Sequence, residues 1–256
     1  MSSCHDRLSY LTRSANRPLL LEAIDERPST PSELVDRYSI SRATVQRILS
    51  DFETHGWITK RDGEYHLTAA GAIILETYDH AITRVEQVLE TEPVLRRFDP
   101  GNEPPLQPLS ESTIVVPTDE RPHAPVLYYR EQAASRSIEP SYIVDPIVNS
   151  LFTDVHQDLY EANDAVDVIV ESAFESHVTT DRWLKAVAPD DLYVYSGDLS
   201  IGLVLSERNA LAILYDADRS GRVCIDCSNE ELRRWFASYA ESKKASARRF
   251  AEQPSQ

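Results

Sequence analysis

Arg42, Thr44, Gln46, Arg47 and Ser50 lie within nine residues and fall on one side of any helix drawn through them. Two guanidinium groups, one amide and two hydroxyls make a surface that is cationic and rich in hydrogen-bond donors. No carboxylate interrupts it before Asp51. Such a surface has little use in acid–base catalysis, but it suits a groove walled by phosphates with base edges on its floor. Arginine clamps phosphate or guanine, and a glutamine amide pairs bidentately with adenine. The stretch reads as a recognition helix for duplex DNA, with Gln46 as base reader and Arg47 as phosphate clamp.

The elements around it must hold that face outward. Val45, Ile48, Leu49 and Phe52 recur at i, i+3, i+4 and i+7, which predicts a helix with one buried stripe. Ser41 stands where an N-cap acceptor belongs and Gly56 where a left-handed residue ends a helix. Upstream, Thr30-Pro31-Ser32-Glu33 has the form of a capping box with proline at the first helical position, opening a short helix that turns Leu34, Val35 and Tyr38 inward. Ser39-Ile40-Ser41 then supplies the short turn of a helix-turn-helix. Downstream, Asp62-Gly63 separates two alternating runs and predicts a hairpin, a wing with Lys60 and Arg61 near its tip. The expected DNA-binding residues are therefore Ser41, Arg42, Thr44, Gln46, Arg47, Ser50, Lys60 and Arg61. The alternative is a winged helix that docks a protein of the transcription machinery instead of DNA.

The chain of 256 residues carries a net charge of −16, which by itself argues against a nucleic-acid partner. Its distribution reverses that argument. Residues 1–68 hold 9 Lys+Arg against 10 Asp+Glu, so the acidity belongs to the remainder. Of the 26 basic residues only Lys60, Lys185, Lys243 and Lys244 are lysine. An acidic, lysine-poor surface is that expected of a halophile, where salt screens repulsion. At about 1 M salt the Debye length is ~3 Å, too short for the bulk charge to repel DNA at a distance. The absence of an N-terminal apolar segment and of an apolar run near ~18 residues argues against secretion and membrane contact, and three cysteines make no disulfide framework. A cytoplasmic protein is expected.

Residues 5–26 read as one or two helices completing the winged module, with Leu8 and Leu11, then Leu19, Leu20, Ala23 and Ile24, as apolar spacings. The combination of Ser14-Ala15-Asn16-Arg17, Leu34, Ser41 to Val45, Arg47, Gly56-Trp57 and Tyr65 to Gly71 resembles archaeal winged helix-turn-helix regulators, especially a large haloarchaeal group, over residues 5–75. That resemblance says nothing of the target gene. Thr68 can cap the next helix, in which Leu75, Tyr78, Ile82, Val85 and Leu89 step by 3, 4, 3 and 4. Such a heptad seam predicts a homodimer through this helix; the alternative is packing on the chain's own C-terminal domain.

Seven of the fifteen prolines fall between residues 99 and 125, which reads as an extended linker at 99–111. Beyond it the pattern alternates: strands at 113–116, 165–170, 192–195, 201–205, 211–215 and 223–227, and helices at 126–135, 146–163, 180–187 and 230–250. The fold class expected is α+β: a winged helix-turn-helix at 1–70, a connecting helix at 71–98, the linker, and an α/β sandwich-like domain at 112–256 with an antiparallel end. Residues 199–205, 211–215, Gly221, Glu231, Trp235, Tyr239 and Ala245 are similar to the C-terminal domain of methanogenesis-regulator-type proteins. The similarity implies a small-molecule-sensing or dimer-forming domain without naming a ligand.

Other chemistry finds little support. Cys224 and Cys227 form a C-x-x-C, but on a strand an offset of three points the thiols to opposite faces, so no metal is expected there. His55, at the end of the recognition helix, reads as structural, an imidazolium facing the helix terminus. The seven histidines show no HExxH spacing, no glycine-rich phosphate loop or nucleophile elbow is present, and H-x-K-x-x-x-x-D is absent. Neither catalysis nor a cofactor is expected. The reading is a dimeric regulator whose partners are double-stranded DNA, a second copy and an unidentified small-molecule effector.

Overall fold

The computed structural model describes residues 4–135, 138–148, 151–178, 180–216 and 221–250. The chain divides into two units, Met1–Glu86 and Gln87–Gln256. The first opens with α1 (Cys4–Thr12), α2 (Asn16–Glu26), α3 (Pro31–Tyr38) and α4 (Arg42–His55), followed by the hairpin β1 (Ile58–Arg61) and β2 (Glu64–Leu67). Helix α5 (Ala69–Leu95) then runs on into the second unit.

Local chemistry explains these boundaries. The capping box at α3 is complete: Glu33 N donates to the Thr30 hydroxyl and Thr30 N donates to the Glu33 carboxylate at 2.7 Å. Ser39 ends the helix in the left-handed region at φ 55°, although it is not glycine. Ser41 Oγ accepts from Thr44 N at 3.2 Å, and Gly56 closes α4 at φ 74°. Asp62 and Gly63 both have positive φ, 51° and 90°, as a tight hairpin turn requires. Ser29 pairs with Tyr65 of β2 through both backbone bonds, adding a third strand-like segment to the wing. The predicted stripe of α4 is wholly buried, with Leu20, Leu21, Leu34 and Trp57 packed in the same core.

The second unit contains α6 (Leu106–Ser110), β3 (Thr113–Val115), α7 (Ala124–Ser135), β4 (Pro140–Asp145), α8 (Thr153–Glu161), β5 (Asp167–Glu171), a 3-10 turn (Ser172–His177), α9 (Arg182–Ala186), β6 (Leu192–Tyr195), β7 (Ile201–Ser206), β8 (Ala210–Tyr215), β9 (Gly221–Cys227), α10 (Glu230–Ser246) and β10 (Arg248–Arg249). One mixed sheet runs in the order β10-β6-β5-β4-β7-β8-β9-β3. Strands β4, β5 and β6 are parallel; every other pairing is antiparallel. Tyr129, Phe152 and Trp183 cover one face, and Val94, Leu109, Leu232 and Phe236 cover the other. Helices therefore sandwich the sheet, and β7 and β8 are buried along their whole length, as strands covered on both faces must be.

Four features depart from the sequence reading. The helix expected over 230–250 ends at Ser246, after which Arg248–Arg249 pairs with β6 as an edge strand. Strand β4, at the centre of the sheet, was not anticipated: its apolar run is short and flanked by Pro140 and Pro146. The helix expected over 146–163 begins only at Thr153, and residues 149–150 lie outside the described residues. The Pro-rich stretch is not wholly extended, because Leu106–Ser110 forms a helix whose Leu109 is buried in the core. Cys224 and Cys227 do lie on opposite faces of β9, one in each core layer.

Candidate nucleic-acid interface

Arg42, Gln46, Arg47 and Ser50 are exposed on α4, and Ser41 is exposed at its N-cap. Lys60 and Arg61 are exposed on β1, next to the wing turn. The surface facing away from the Val45–Phe52 stripe is thus carboxylate-free as far as Asp51. Thr44 is different. It is half-buried and its hydroxyl lies 2.8 Å from Ser41 Oγ, so it serves the helix cap. Lys60 sits opposite Tyr65 in the hairpin with its ammonium 5.3 Å from the ring centroid, which steadies a long side chain without neutralising it.

Behind α4 lies a cluster that the spacing of residues could not disclose. The Tyr10 hydroxyl donates to Asp51 Oδ2 at 2.9 Å, and the same oxygen lies 3.9 Å from Arg47 Nη1. Burial and the Asp51 carboxylate push the Tyr10 phenol well up, so it remains a donor. His55 packs on Tyr10 and Trp57, with ring centroids 5.2 and 4.8 Å away. Desolvation and Arg7 lower its pKa, which favours imidazole over the imidazolium expected at a helix C-terminus.

The residues of the predicted seam divide. Leu75 is 5% exposed and Tyr78 half-buried; both pack into the winged-helix core. Ile82, Val85 and Leu89 are 37%, 56% and 69% exposed, and Val88 beside them is 40% exposed.

The second unit encloses a polar network. Asp145, at the end of β4, accepts from Trp183 Nε1 at 3.2 Å and lies 3.2 Å from His156 Nδ1. His156 Nε2 is 3.0 Å from the Tyr129 hydroxyl. Both ring nitrogens of His156 are thereby engaged, one by the carboxylate and the other by the phenol. Asp145 and His156 are 1% and 2% exposed, so the chain of bonds ties α7, α8 and α9 to the sheet away from solvent. On the same unit, a polar cleft of about 500 Å3 opens between Thr113, Asp226 and the α10 cap residue Asn229. Among the described residues no cluster of three metal-ligating side chains occurs, and no helix is long and apolar enough to cross a membrane.

Comparison with known proteins agrees with this division. Residues 5–90 match the family model of the HVO_A0261 N-terminal domain, and residues 122–245 match the middle domain of the methanogenesis regulatory protein FilR1. Among solved structures, the archaeal chromatin protein TrmBL2 aligns over 96% of this chain and 100% of its own at 14% identity and a TM-score of 0.38. Reduced MarR from E. coli aligns over 34% of this chain and 66% of its own at 25% identity and a TM-score of 0.30. No curated protein sequence matches.

Proposed function

From a chain that carries an archaeal winged-helix DNA-binding regulatory domain followed by a FilR1-type middle domain, we propose a homodimeric, sequence-specific transcriptional regulator that responds to a small-molecule effector in the cytoplasm. The observation that carries this reading is the exposed, carboxylate-free face of α4 beside a wing bearing Lys60 and Arg61. In the proposed complex α4 enters the major groove. Gln46 reads a base edge, Arg42 and Arg47 meet phosphate, and the wing reaches backbone or minor groove.

A second copy is supported by the exposed apolar surface of α5 at Ile82, Val85, Val88 and Leu89, since helix-turn-helix proteins read paired half-sites. The polar cleft of about 500 Å3 is large enough for a small molecule. An effector bound there would alter operator affinity through its differing affinity for the DNA-bound and free dimers. The acidic remainder of the chain and its scarcity of lysine support a high-salt interior, where base contacts and shape must replace much of the phosphate attraction.

Selection of bound sequences from random duplex DNA by the full-length protein, in molar potassium chloride, tests the reading. Enrichment of a two-fold symmetric motif is the expected result. Retention of no defined sequence, with binding to a component of the transcription machinery instead, would replace it with a protein-docking role.

A further inference from the structure

Asp51 is an awkward neighbour for a phosphate-binding arginine. It lies one helical turn beyond Arg47, close enough for its carboxylate to compete with DNA for the guanidinium. Yet the separation is 3.9 Å, the loose limit of an ion pair, while the Arg47 side chain stays 58% exposed. What holds the carboxylate is Tyr10, from a helix 41 residues away in sequence, at 2.9 Å.

Tyr10 is itself fixed. The Arg17 guanidinium lies over its ring at 3.8 Å and also donates to the Tyr10 carbonyl. Phe52 and Trp57 meet the ring edge-on at 6.2 and 6.1 Å. The phenol therefore presents its O–H from a clamped position, and the carboxylate answers with one oxygen in a charge-assisted hydrogen bond.

We infer that Tyr10 is a positioning residue for DNA binding: by engaging Asp51 it keeps that carboxylate off Arg47 and leaves the guanidinium to a phosphate. The inference rests on the DNA-facing reading of α4. Without the Tyr10 hydroxyl, Asp51 turns toward Arg47, and each phosphate contact made through Arg47 must first break an ion pair. Asp51 is then a latent inhibitor of the site, held in check by α1. The same arrangement makes the pose of α1 and the Arg17 clamp a determinant of DNA affinity, although neither reaches the groove.

The test uses full-length protein, a fluorescent duplex carrying the selected motif, and a random-sequence duplex. Tyr10→Phe keeps the ring and its packing and removes only the hydroxyl. It is expected to weaken binding about tenfold, the scale of one charge-assisted contact. The log–log salt dependence should become shallower by about 0.9, as for one phosphate lost. Asp51→Asn should bind at least as tightly as the natural protein, and adding Asp51→Asn to Tyr10→Phe should restore both affinity and salt slope. A thermal melt of each variant separates this from a folding defect, since a structural role for Tyr10 predicts a double variant no better than Tyr10→Phe. Binding by the natural protein that Tyr10→Phe leaves unchanged, or that Asp51→Asn fails to rescue, overturns the inference alone. Failure of the natural protein to bind either duplex overturns the DNA reading and the inference with it.

Discussion

Gly71, in the first turn of α5, packs against the backbone of Trp57 so closely that a Cβ at residue 71 would stand 2.1 Å from the Trp57 carbonyl oxygen. The start of α5 is thereby locked to the start of the wing. Thr68 strengthens the lock: its amide donates to the same carbonyl at 2.9 Å, and its hydroxyl donates to Gly56 O at 2.7 Å and accepts from Gly71 N at 3.1 Å.

Gly71→Ala should therefore destabilise the first unit, although alanine is the better helix former by ~1 kcal/mol. The obstacle is backbone, which cannot swing aside, and overpacking of this kind costs about 1–3 kcal/mol. Denaturant titration of the full chain measures the difference. An unchanged or raised midpoint would show that the two segments separate easily.

On the exposed face of α4, Gln46 and Arg47 should fail in different ways. Gln46→Ala is expected to change which base is preferred at one position of the selected motif, at a cost of about 1–3 kcal/mol against the best sequence. Arg47→Ala is expected to weaken specific and random duplexes alike and to lower the salt slope by about 0.9. Equal behaviour of the two variants across sequences would mean that α4 meets the groove in another orientation.

If the proposed dimer forms through the exposed part of α5, a charge there should separate it. Ile82→Glu, at a residue 37% exposed in the isolated chain, is expected to halve the mass in sedimentation while leaving the melting curve intact. Leu75→Glu should instead unfold the winged helix, because Leu75 is 5% exposed and belongs to that core. A natural protein already monomeric at micromolar concentration would remove the premise.

His55 gives the first unit a sensitivity to acid whose sign is fixed by its burial. Burial against Tyr10 and Trp57 lowers its pKa below the ordinary 6.5, so the unfolded chain takes up this proton before the folded one does. The stability it contributes is complete above pH 6.5 and is lost as pH falls through that value toward the lowered one. His55→Phe, which keeps an aromatic ring in place, should show a smaller drop in melting temperature over that window. Parallel curves for the two proteins would assign the acid sensitivity elsewhere.

Asp145 should tolerate no apolar replacement. Asp145→Ala leaves the buried Trp183 indole N–H without its acceptor and the buried His156 Nδ1 without its partner, at about 1–3 kcal/mol for each. Trp183 is itself buried, so the loss is readable in tryptophan fluorescence during urea titration. A change of less than 1 kcal/mol, on the scale of surface substitutions, would indicate that water replaces the carboxylate.

The elements of the first unit were legible because each is written in a local code. The capping box is spelled by Thr30 and Glu33, the α4 stripe by Val45, Ile48, Leu49 and Phe52, and the wing by Asp62-Gly63. Most strands of the second unit were legible for the same reason, as short apolar runs bounded by turn residues. Strand β4 was not, since two prolines bracket a run too short to stand out, and only its neighbours β5 and β7 complete its hydrogen bonds. The heptad spacing of α5 was equally visible, but spacing alone does not say what a residue packs against. Leu75 and Tyr78 went to the winged-helix core, while Ile82, Val85 and Leu89 stayed exposed.

By itself the sequence determined which segments are helix, strand or turn in most of the chain, and which face of α4 is polar, because those properties arise between residues a few positions apart. The tertiary structure decided how that face is tuned. It drew Thr44 into the cap, brought Tyr10 onto Asp51 across 41 residues, and turned His55 from a charged helix terminus into a half-buried ring. Such pairings depend on where separate helices come to rest in a shared core, and that placement is set by the packing of many side chains together and by no short pattern along the chain.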